Sequence, residues 1–373
     1  MKRKPPAPPS GRKRGGQPGH RKARRTLVPP EQVHQTFDCK PTACRRCGRG
    51  LEGEDPEPRI HQVAELPSIE PVVDEYRLHR LTCSGCGATT CGALPEGVPT
   101  GCFGPYLQAV LAMFAGAYRL SKRQIQQLAA DLFALSIATG MISKLERRSA
   151  AVLEAPYNEL AIAVHHAKAT NIDETSWRER TRKVWLWAVV TPLFTVFTIA
   201  KGRSGDVAKA LLGSEDDQVV GSDRFSAYDW ILARWRQVCW AHLRRDFQAM
   251  IDRGGEGEAI GRRLLSLSNR LFRHWHRVRD GTLPWGPFQE RMGRLRREVK
   301  HALEDGSRCG CAKTAATCFE ILKVEEGLWA FARVKGIEPT NNAVERALRH
   351  AVLWRRISGG TDSERGAGSW SGC

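Results

Sequence analysis

The stretch from residue 169 to residue 200 decides the fold, and it reads ATNIDETSWRERTRKVWLWAVVTPLFTVFTIA. β-Branched and aromatic residues dominate three runs within it, 169–177, 184–190 and 194–200, and each run has the length of a strand. The break between the last two runs, Thr191-Pro-Leu, is short enough for a hairpin. The stretch therefore predicts three consecutive strands.

Downstream of these strands the pattern alternates between helix and strand. It predicts a helix at 205–212, a strand at 218–223, a helix at 226–235 and a strand at 236–241. A mixed sheet with helices on its faces follows from this alternation. The order strand, strand, strand, helix, strand, helix, strand is that of ribonuclease H-like domains, an analogy that concerns the fold alone.

Composition divides the whole chain into five predicted segments. The sheet segment contains a highly charged helical insertion at about 243–335 and ends in a helix that starts near Pro339. The segments are a disordered basic arm (1–30), a zinc-binding module (31–103), a helix-turn-helix region (104–153), a ribonuclease H-like domain with the insertion (154–357) and a disordered tail (358–373).

Charge indicates the kind of partner. The chain has 58 Lys and Arg against 40 Asp and Glu, a formal charge of +18. Ten of the basic residues lie within residues 1–30, which contain no acid. This favours a nucleic acid, although a solubilising tail has the same composition. The arm's candidate DNA-binding residues are Arg12, Lys13, Arg14, His20, Arg21 and Lys22.

No signal peptide or membrane-spanning segment is predicted. The first ten residues lack an apolar core, and the most apolar stretch, 184–200, is interrupted by Pro192 and three threonines. The expected compartment is a reducing cytoplasm. The twelve cysteines are therefore interpreted as thiols or metal ligands, not as disulfides.

Two cysteine pairs predict a structural zinc ion. Cys44-Arg-Arg-Cys47 and Cys83-Ser-Gly-Cys86 are each followed directly by glycine. Four thiolates presented as two such pairs match the tetrahedral ligand set of Zn²⁺. Four unrelated reduced cysteines are the alternative. A neighbouring cysteine could also replace one ligand; these neighbours are Cys39, Cys91 and Cys102.

Residues 121–148 predict a helix-turn-helix. Ser121 and Gln124 form a capping-box pattern, and apolar residues at helical spacing follow. Ser136 is the predicted start of the second helix, and Ala134 occupies the turn position where glycine is common. Two ordinary core helices are the alternative. The candidate DNA-binding residues are Lys122, Arg123, Lys144, Arg147 and Arg148.

Three acids in the sheet region are candidate metal ligands. Asp173 lies in the first strand, Asp223 ends the strand 218–223, and Glu345 lies near the start of the final helix. Carboxylates from adjacent strand ends and a helix can hold two Mg²⁺ or Mn²⁺ ions for phosphoryl transfer. Glu345 has an alternative role, because a glutamate in the first helical turn also stabilises the helix start.

Seven motifs in this order resemble transposases of the insertion sequence 66 family, from about Arg12 to Ser363. They are Gly15-Gly-Gln-Pro-Gly-His20, the two cysteine pairs, Tyr118-Arg-Leu-Ser-Lys-Arg-Gln-Ile, Ile172-Asp-Glu-Thr, Ser222-Asp-Arg-Phe-Ser-Ala-Tyr228, Cys239-Trp-Ala-His-Leu-Arg-Arg-Asp-Phe247 and Thr340-Asn-Asn-Ala-Val-Glu-Arg-Ala-Leu-Arg349.

The resemblance implies a ribonuclease H-like catalytic domain with the acid triad Asp173, Asp223 and Glu345. It also implies that His242, in a Cys-x-x-His motif, supports the active site, unless it is a buried structural histidine. The implied reaction is metal-dependent cleavage of element ends and their joining to target DNA. Expected partners are double-stranded DNA, further copies of the chain and accessory proteins of the same element.

Two departures from the resemblance lead us to expect impaired activity. Relatives usually begin with a long helical segment and continue well past the final helix, whereas this sequence does neither. Two other functions share the sequence features: a non-enzymatic zinc-containing DNA-binding protein, either a regulator or a decayed transposase, and a metal-dependent nuclease. A joining assay distinguishes the transposase from both.

Overall fold

The fold was determined as a computed structural model, which describes residues 26–213, 217–358 and 360–361. The chain forms two units, Met1–Ile69 and Glu70–Cys373. In the first unit, residues Pro30–Gln32 form a 3-10 turn. An isolated bridge pairs Ala43 with Gly50, and Val28 exchanges two 2.9 Å hydrogen bonds with the Gln62 amide. This unit contains the first cysteine pair.

The second unit begins with an antiparallel ribbon of β1 (Arg80–Thr82) and β2 (Thr89–Cys91), which encloses the second cysteine pair. The boundary between the two units thus falls within the predicted module 31–103.

Three helices follow the ribbon: α1 (Pro105–Gly116), α2 (Lys122–Phe133) and α3 (Thr139–His165). Ser121 caps α2 through the predicted capping box, and Ala134 ends it with a left-handed φ of 51°. The second helix begins at Thr139, so the predicted start at Ser136 is wrong. Ile125, Ala129 and Ile142 are buried where the three helices pack together.

The helix α3 has 27 residues and continues from this helical cluster to the central sheet. Near its end, the Tyr157 hydroxyl contacts the Phe197 carbonyl oxygen at 2.9 Å, and Val164 is buried against the sheet. One helix therefore connects the two parts of this unit.

The central sheet has five strands in the order β5-β4-β3-β6-β7. Strands β3, β4 and β5 form an antiparallel meander, whereas β6 and β7 run parallel to β3. Their bounds are Ala169–Glu179 (β3), Arg182–Val190 (β4), Thr195–Ala200 (β5), Val219–Ser222 (β6) and Arg236–Val238 (β7). The predicted mixed α/β fold with a mixed sheet is confirmed.

Alternation along β3 gives the sheet two covered faces. Ile172 packs on one face with α3 and with α4 (Gly205–Leu212), together with Val164 and Ala208. Trp177 packs on the other face against α10 (Asn342–Ser358), whose buried residues are Val344, Leu348 and Ala351.

Residues 240–333 form a helical layer around Phe247, Leu271 and Phe331, and its core also includes Val219 of β6 and Val238 of β7. Its helices are α5 (Trp240–Arg253), α6 (Gly255–Arg279), α7 (Trp285–Ser307), α8 (Ala312–Lys323) and α9 (Ala330–Arg333). The helix predicted at 226–235 is wrong, because the chain forms two 3-10 turns there, Ser226–Tyr228 and Ala233–Trp235. Within the described residues, no helix is both long and apolar enough to span a bilayer.

The chain after α10 returns to the sheet. Thr361 pairs with Glu179 as a parallel bridge, its carbonyl oxygen accepts a 2.8 Å hydrogen bond from the Arg180 amide, and its hydroxyl oxygen lies 3.2 Å from Trp177 Nε1. Trp354 stacks on Trp177 with ring centroids 5.5 Å apart. These contacts hold the C-terminal half of α10 on β3. The predicted tail lies mostly outside the described residues.

Candidate active site

Asp173 lies in the middle of β3, on the face covered by α10. One of its carboxylate oxygens accepts a 2.9 Å hydrogen bond from the Glu174 amide. Burial, together with the negative charges of Glu174, Asp223 and Glu345, raises the pKa of Asp173 to about 7. Asp223 and Glu345 are therefore close enough to Asp173 for their negative charges to disfavour its ionised form.

Asp223 follows the last residue of β6 and is level with Asp173. Asn171 of β3 is paired with Gly221 of β6, and each aspartate stands two residues further along its strand. The Phe225 amide donates a 2.8 Å hydrogen bond to the Asp223 carboxylate. The buried Arg236 side chain donates to the Asp223 carbonyl oxygen at 2.9 Å, which fixes the backbone at this position.

Glu345 reaches the same region from α10. The buried Asn341 side chain precedes this helix and donates a 3.0 Å hydrogen bond to the Ile172 carbonyl oxygen, directly before Asp173. The Glu345 carboxylate accepts a 3.2 Å hydrogen bond from Arg245 of α5. Because this contact is to another helix, Glu345 does more than stabilise the start of its own helix.

His242 lies in the first turn of α5, with its Nδ1 atom 3.6 Å from Glu345 Oε1. The Nδ1 atom is buried and makes no hydrogen bond to the described residues. Cys239, three residues earlier, is buried next to the same pair, and burial raises the pKa of its thiol. Ligand atoms of Cys239, His242 and Glu345 all lie within 4.8 Å of one another.

Sequence reasoning missed a buried polar network on the opposite face of β3. The Glu174 side chain is only 1% exposed and forms an ion pair with Arg203. The Tyr228 hydroxyl donates a hydrogen bond to the second Glu174 oxygen, and burial and this carboxylate raise the pKa of Tyr228. The sequence signal for this network is Glu174 itself, which lies two residues after Ile172 and therefore on the same inward-facing side of β3.

The candidate DNA-binding residues divide into two groups. Those of the basic arm, Arg12, Lys13, Arg14, His20, Arg21 and Lys22, lie outside the described residues. Those of α2 and α3 are all exposed, and Lys122 forms a 3.3 Å ion pair with Glu146 across the two helices. The exposed set is Lys122, Arg123, Lys144, Arg147 and Arg148.

The first cysteine pair forms a tight turn in its own unit. The Cys44 amide donates to the Arg49 carbonyl oxygen at 2.8 Å, and the Gly48 amide donates to the Cys44 carbonyl oxygen at 2.9 Å. Gly48 has a φ of 72°, which explains the glycine after the pair. Hydrogen bonds from the amides of Arg46 and Cys47 and from the Cys47 thiol lower the pKa of Cys44.

The second cysteine pair repeats this geometry in the other unit. The Cys83 amide donates to the Ala88 carbonyl oxygen at 2.8 Å, and the Gly87 amide donates to the Cys83 carbonyl oxygen at 2.9 Å. Gly87 also has a φ of 72°. Hydrogen bonds from the amides of Cys86 and Gly85 and from the Cys86 thiol lower the pKa of Cys83. Each turn thus favours a thiolate, the form that binds metal.

A five-stranded mixed sheet covered by helices defines an α/β protein, in which the charges of Asp223 and Glu345 reach Asp173. A family model for the transposase IS66 family matches residues 100–369. The match covers well over half of the chain, so the chain belongs to this family.

One curated relative gives further context. An uncharacterized protein of Sinorhizobium fredii (strain NBRC 101917 / NGR234), y4qI, is 29% identical over 223 residues, which are 52% of this chain. The chain spans about two-fifths of the length of that relative, since the match covers 39% of it.

Proposed function

We propose that the chain is a DNA transposase that cuts the ends of an insertion sequence and joins them to target DNA. The observation that carries this proposal is that the charges of Asp223 and Glu345 reach the partly buried Asp173 carboxyl, within a member of the transposase IS66 family. Like-charged carboxylates brought together at a partly buried position are costly, and an active site that binds cations explains why they are retained.

The proposed domain is ribonuclease H-like. An antiparallel meander of β3, β4 and β5, extended by two strands parallel to β3, supports this assignment. In this proposal, residues 240–333 are the helical insertion between the second and third acids.

The residues present fit Mg²⁺ or Mn²⁺, because the three carboxylates provide hard oxygen ligands. Two bound ions would activate the attacking water or 3′ hydroxyl and stabilise the leaving oxygen. Asp173 and Asp223 are held level on neighbouring strands, and Asn341 fixes the start of the helix that carries Glu345. Arg245 and His242 face Glu345, and in this proposal they orient its carboxylate.

The proposed substrate is double-stranded DNA, both the element ends and the target. The exposed basic residues of α2 and α3 are suited to contact the ends, and the basic arm to add phosphate contacts. We further propose that the chain acts as a homo-oligomer on DNA, with accessory proteins of its element as additional partners.

The deciding experiment incubates the chain with a duplex that contains an element end, a target plasmid and Mn²⁺. Nicked and joined strands are scored separately. Joined product supports the transposase. Nicked product without joining indicates a nuclease, and binding without either product indicates a non-enzymatic DNA-binding protein.

Deleting residues 1–25 is expected to lower the salt dependence of DNA binding. If about six of the ten basic residues in the arm contact phosphates, the slope of log K against log salt falls by roughly 5. Fluorescence anisotropy from low to moderate salt measures this slope. The preference for element ends over random duplex is expected to change little, because the helix pair reads the bases. Lost preference with an unchanged slope would reverse these two roles.

We also propose that Cys44, Cys47, Cys83 and Cys86 bind one structural zinc ion. Cys83→Ser is expected to remove one zinc ion per chain, because a tetrahedral thiolate site rarely holds its metal with three cysteines. Metal content after dialysis measures the loss. Cys91→Ser is the matched control, since Cys91 is an exposed cysteine in the adjacent strand β2. Equal zinc content in both variants would contradict the ligand assignment.

A further inference from the structure

Cys239, His242 and Glu345 together offer a donor set that differs from the three carboxylates. It combines a thiol sulfur, an imidazole nitrogen and a carboxylate oxygen, all within 4.8 Å of one another. Ligand atoms of a tetrahedral zinc ion that is bound by nitrogen and oxygen stand about 3.4 Å apart. The distance of 3.6 Å between His242 Nδ1 and Glu345 Oε1 is close to this value.

The backbone holds these three residues in place. Cys239 is the N-cap residue of α5 and His242 lies in its first turn, so both side chains lie at the same end of the helix. The amide of Cys239 donates a 2.9 Å hydrogen bond to the Ser222 carbonyl oxygen, and the amide of Trp240 donates one of 2.9 Å to the Pro339 carbonyl oxygen. These bonds join the start of α5 both to β6 and to the segment that leads into α10.

The surroundings of the sulfur are those of a metal-bound thiolate. The Asn341 amide donates a 3.2 Å hydrogen bond to Cys239 Sγ, and such outer contacts orient a ligand and stabilise its charge. Cys239 is fully buried, so water does not compete with the Asn341 amide for the hydrogen bond to the sulfur.

Two buried polar atoms at this place have no hydrogen-bond partner among the described residues. They are His242 Nδ1, which faces Glu345, and Asn341 Oδ1, in the residue that contacts Cys239. Buried polar atoms are almost always satisfied in native proteins, and an unsatisfied one indicates an ion or a water molecule. An ion bound by His242 Nδ1 would satisfy the first of them.

We propose that Cys239, His242 and Glu345 form a binding site for one thiophilic divalent ion of the zinc class, and that its binding inhibits the transposase. Thiolate and imidazole ligands select zinc over magnesium, which prefers oxygen. The thiol releases its proton to solvent when the metal–sulfur bond forms. Because Glu345 also belongs to the proposed catalytic triad, a zinc ion here withdraws its carboxylate from Mg²⁺. The inhibition rests on the proposed function, whereas the binding does not.

Zinc content of the full chain tests the site directly. After dialysis against buffer with a slight excess of Zn²⁺, Cys239→Ser and His242→Gln are each expected to hold one zinc ion fewer than the unmodified chain. Cys318→Ser is the matched control, because Cys318 is a buried free cysteine in α8, outside the group. Zinc bound by the two cysteine pairs is the same in the unmodified chain and the three variants, so it cancels when the four zinc contents are compared.

Two further readouts separate metal binding from folding and from activity. Co²⁺ substitution is expected to give a thiolate-to-metal absorption that is weaker in Cys239→Ser than in Cys318→Ser, with unchanged circular dichroism. In the joining assay with Mg²⁺, each protein is compared with its own rate without added Zn²⁺, and inhibition of Cys239→Ser is expected to require at least tenfold more added Zn²⁺ than inhibition of the unmodified chain. Equal zinc content in all four proteins would overturn the site. If the chain joins no DNA but the zinc counts differ, the site stands and the inhibition claim fails.

Discussion

Asp173→Asn, Asp223→Asn and Glu345→Gln are each expected to lower strand cleavage with Mg²⁺ by a factor on the order of 10³ or more. Each change removes a negative charge that holds the metal ions but almost no volume, so the fold survives. Binding to element-end duplex is expected to change less than about twofold, since the proposed DNA contacts are made elsewhere. Cleavage and binding are measured on the same purified proteins, by gel assay and by anisotropy.

Asp252→Asn provides the matched control for charge removal. Asp252 is an exposed aspartate near the end of α5 that accepts a hydrogen bond from Gln248 within its own helix. It is expected to leave the cleavage rate unchanged. Normal cleavage by any one of the three triad variants would rule that residue out as a metal ligand.

Asp173→Asn is also expected to raise the unfolding free energy of the metal-free protein strongly at pH 8. Burial and neighbouring negative charge raise the pKa of Asp173 to about 7 from an ordinary value of 3.8. Each pKa unit corresponds to about 1.4 kcal/mol, so the ionised aspartate costs up to about 4 kcal/mol of unfolding free energy. Asparagine does not ionise, and its side-chain oxygen can still accept the hydrogen bond from the Glu174 amide.

The sign of the pH dependence follows from the raised pKa. Below about pH 4 both the folded and the unfolded carboxyl hold a proton, and Asp173→Asn gains nothing from this term. Between about pH 4 and pH 7 the unfolded chain loses its proton first, so the unmodified protein becomes less stable relative to the variant as the pH rises. The difference is complete above pH 7.

Urea denaturation in magnesium-free buffer at pH 5, 6, 7 and 8 measures this difference. Adding Mg²⁺ at pH 8 is expected to stabilise the unmodified protein and to leave Asp173→Asn nearly unchanged. A variant that is no more stable than the unmodified protein at pH 8 would show that burial and neighbouring charge do not raise the pKa of Asp173.

Local sequence pattern predicted most of the sheet, because its strands are defined by their own residues. The runs 169–177, 184–190 and 194–200 correspond to β3, β4 and β5, and the helix 205–212 has the predicted bounds. The prediction of a helix at 226–235 was wrong, because the apolar residues Tyr228 and Ile231 are buried against the sheet and do not form one face of a helix. Apolar spacing alone did not reveal this.

Candidate residues for the site could be named from the sequence, but their geometry could not. Asp173, Asp223 and Glu345 were identified from their positions beside strands and a helix, and the strand register that makes the first two level follows from pairing across the sheet. The contact of Glu345 with Arg245, 100 residues earlier, depends on how the helical layer packs. The network of Glu174, Arg203 and Tyr228 also depends on long-range packing, because its members come from β3, the loop before α4 and a 3-10 turn.

The single helix α3 gives the molecule a fixed spacer. From Arg148, the last proposed DNA contact, α3 runs 17 residues further to His165 beside the sheet that carries Asp173, which corresponds to about 26 Å at 1.5 Å per residue. A helix also fixes rotation, about 100° for each residue. In the proposed transposase, the length of this one helix sets the number of base pairs between the recognised sequence and the cut bond. It also sets which face of the duplex is presented to the carboxylates.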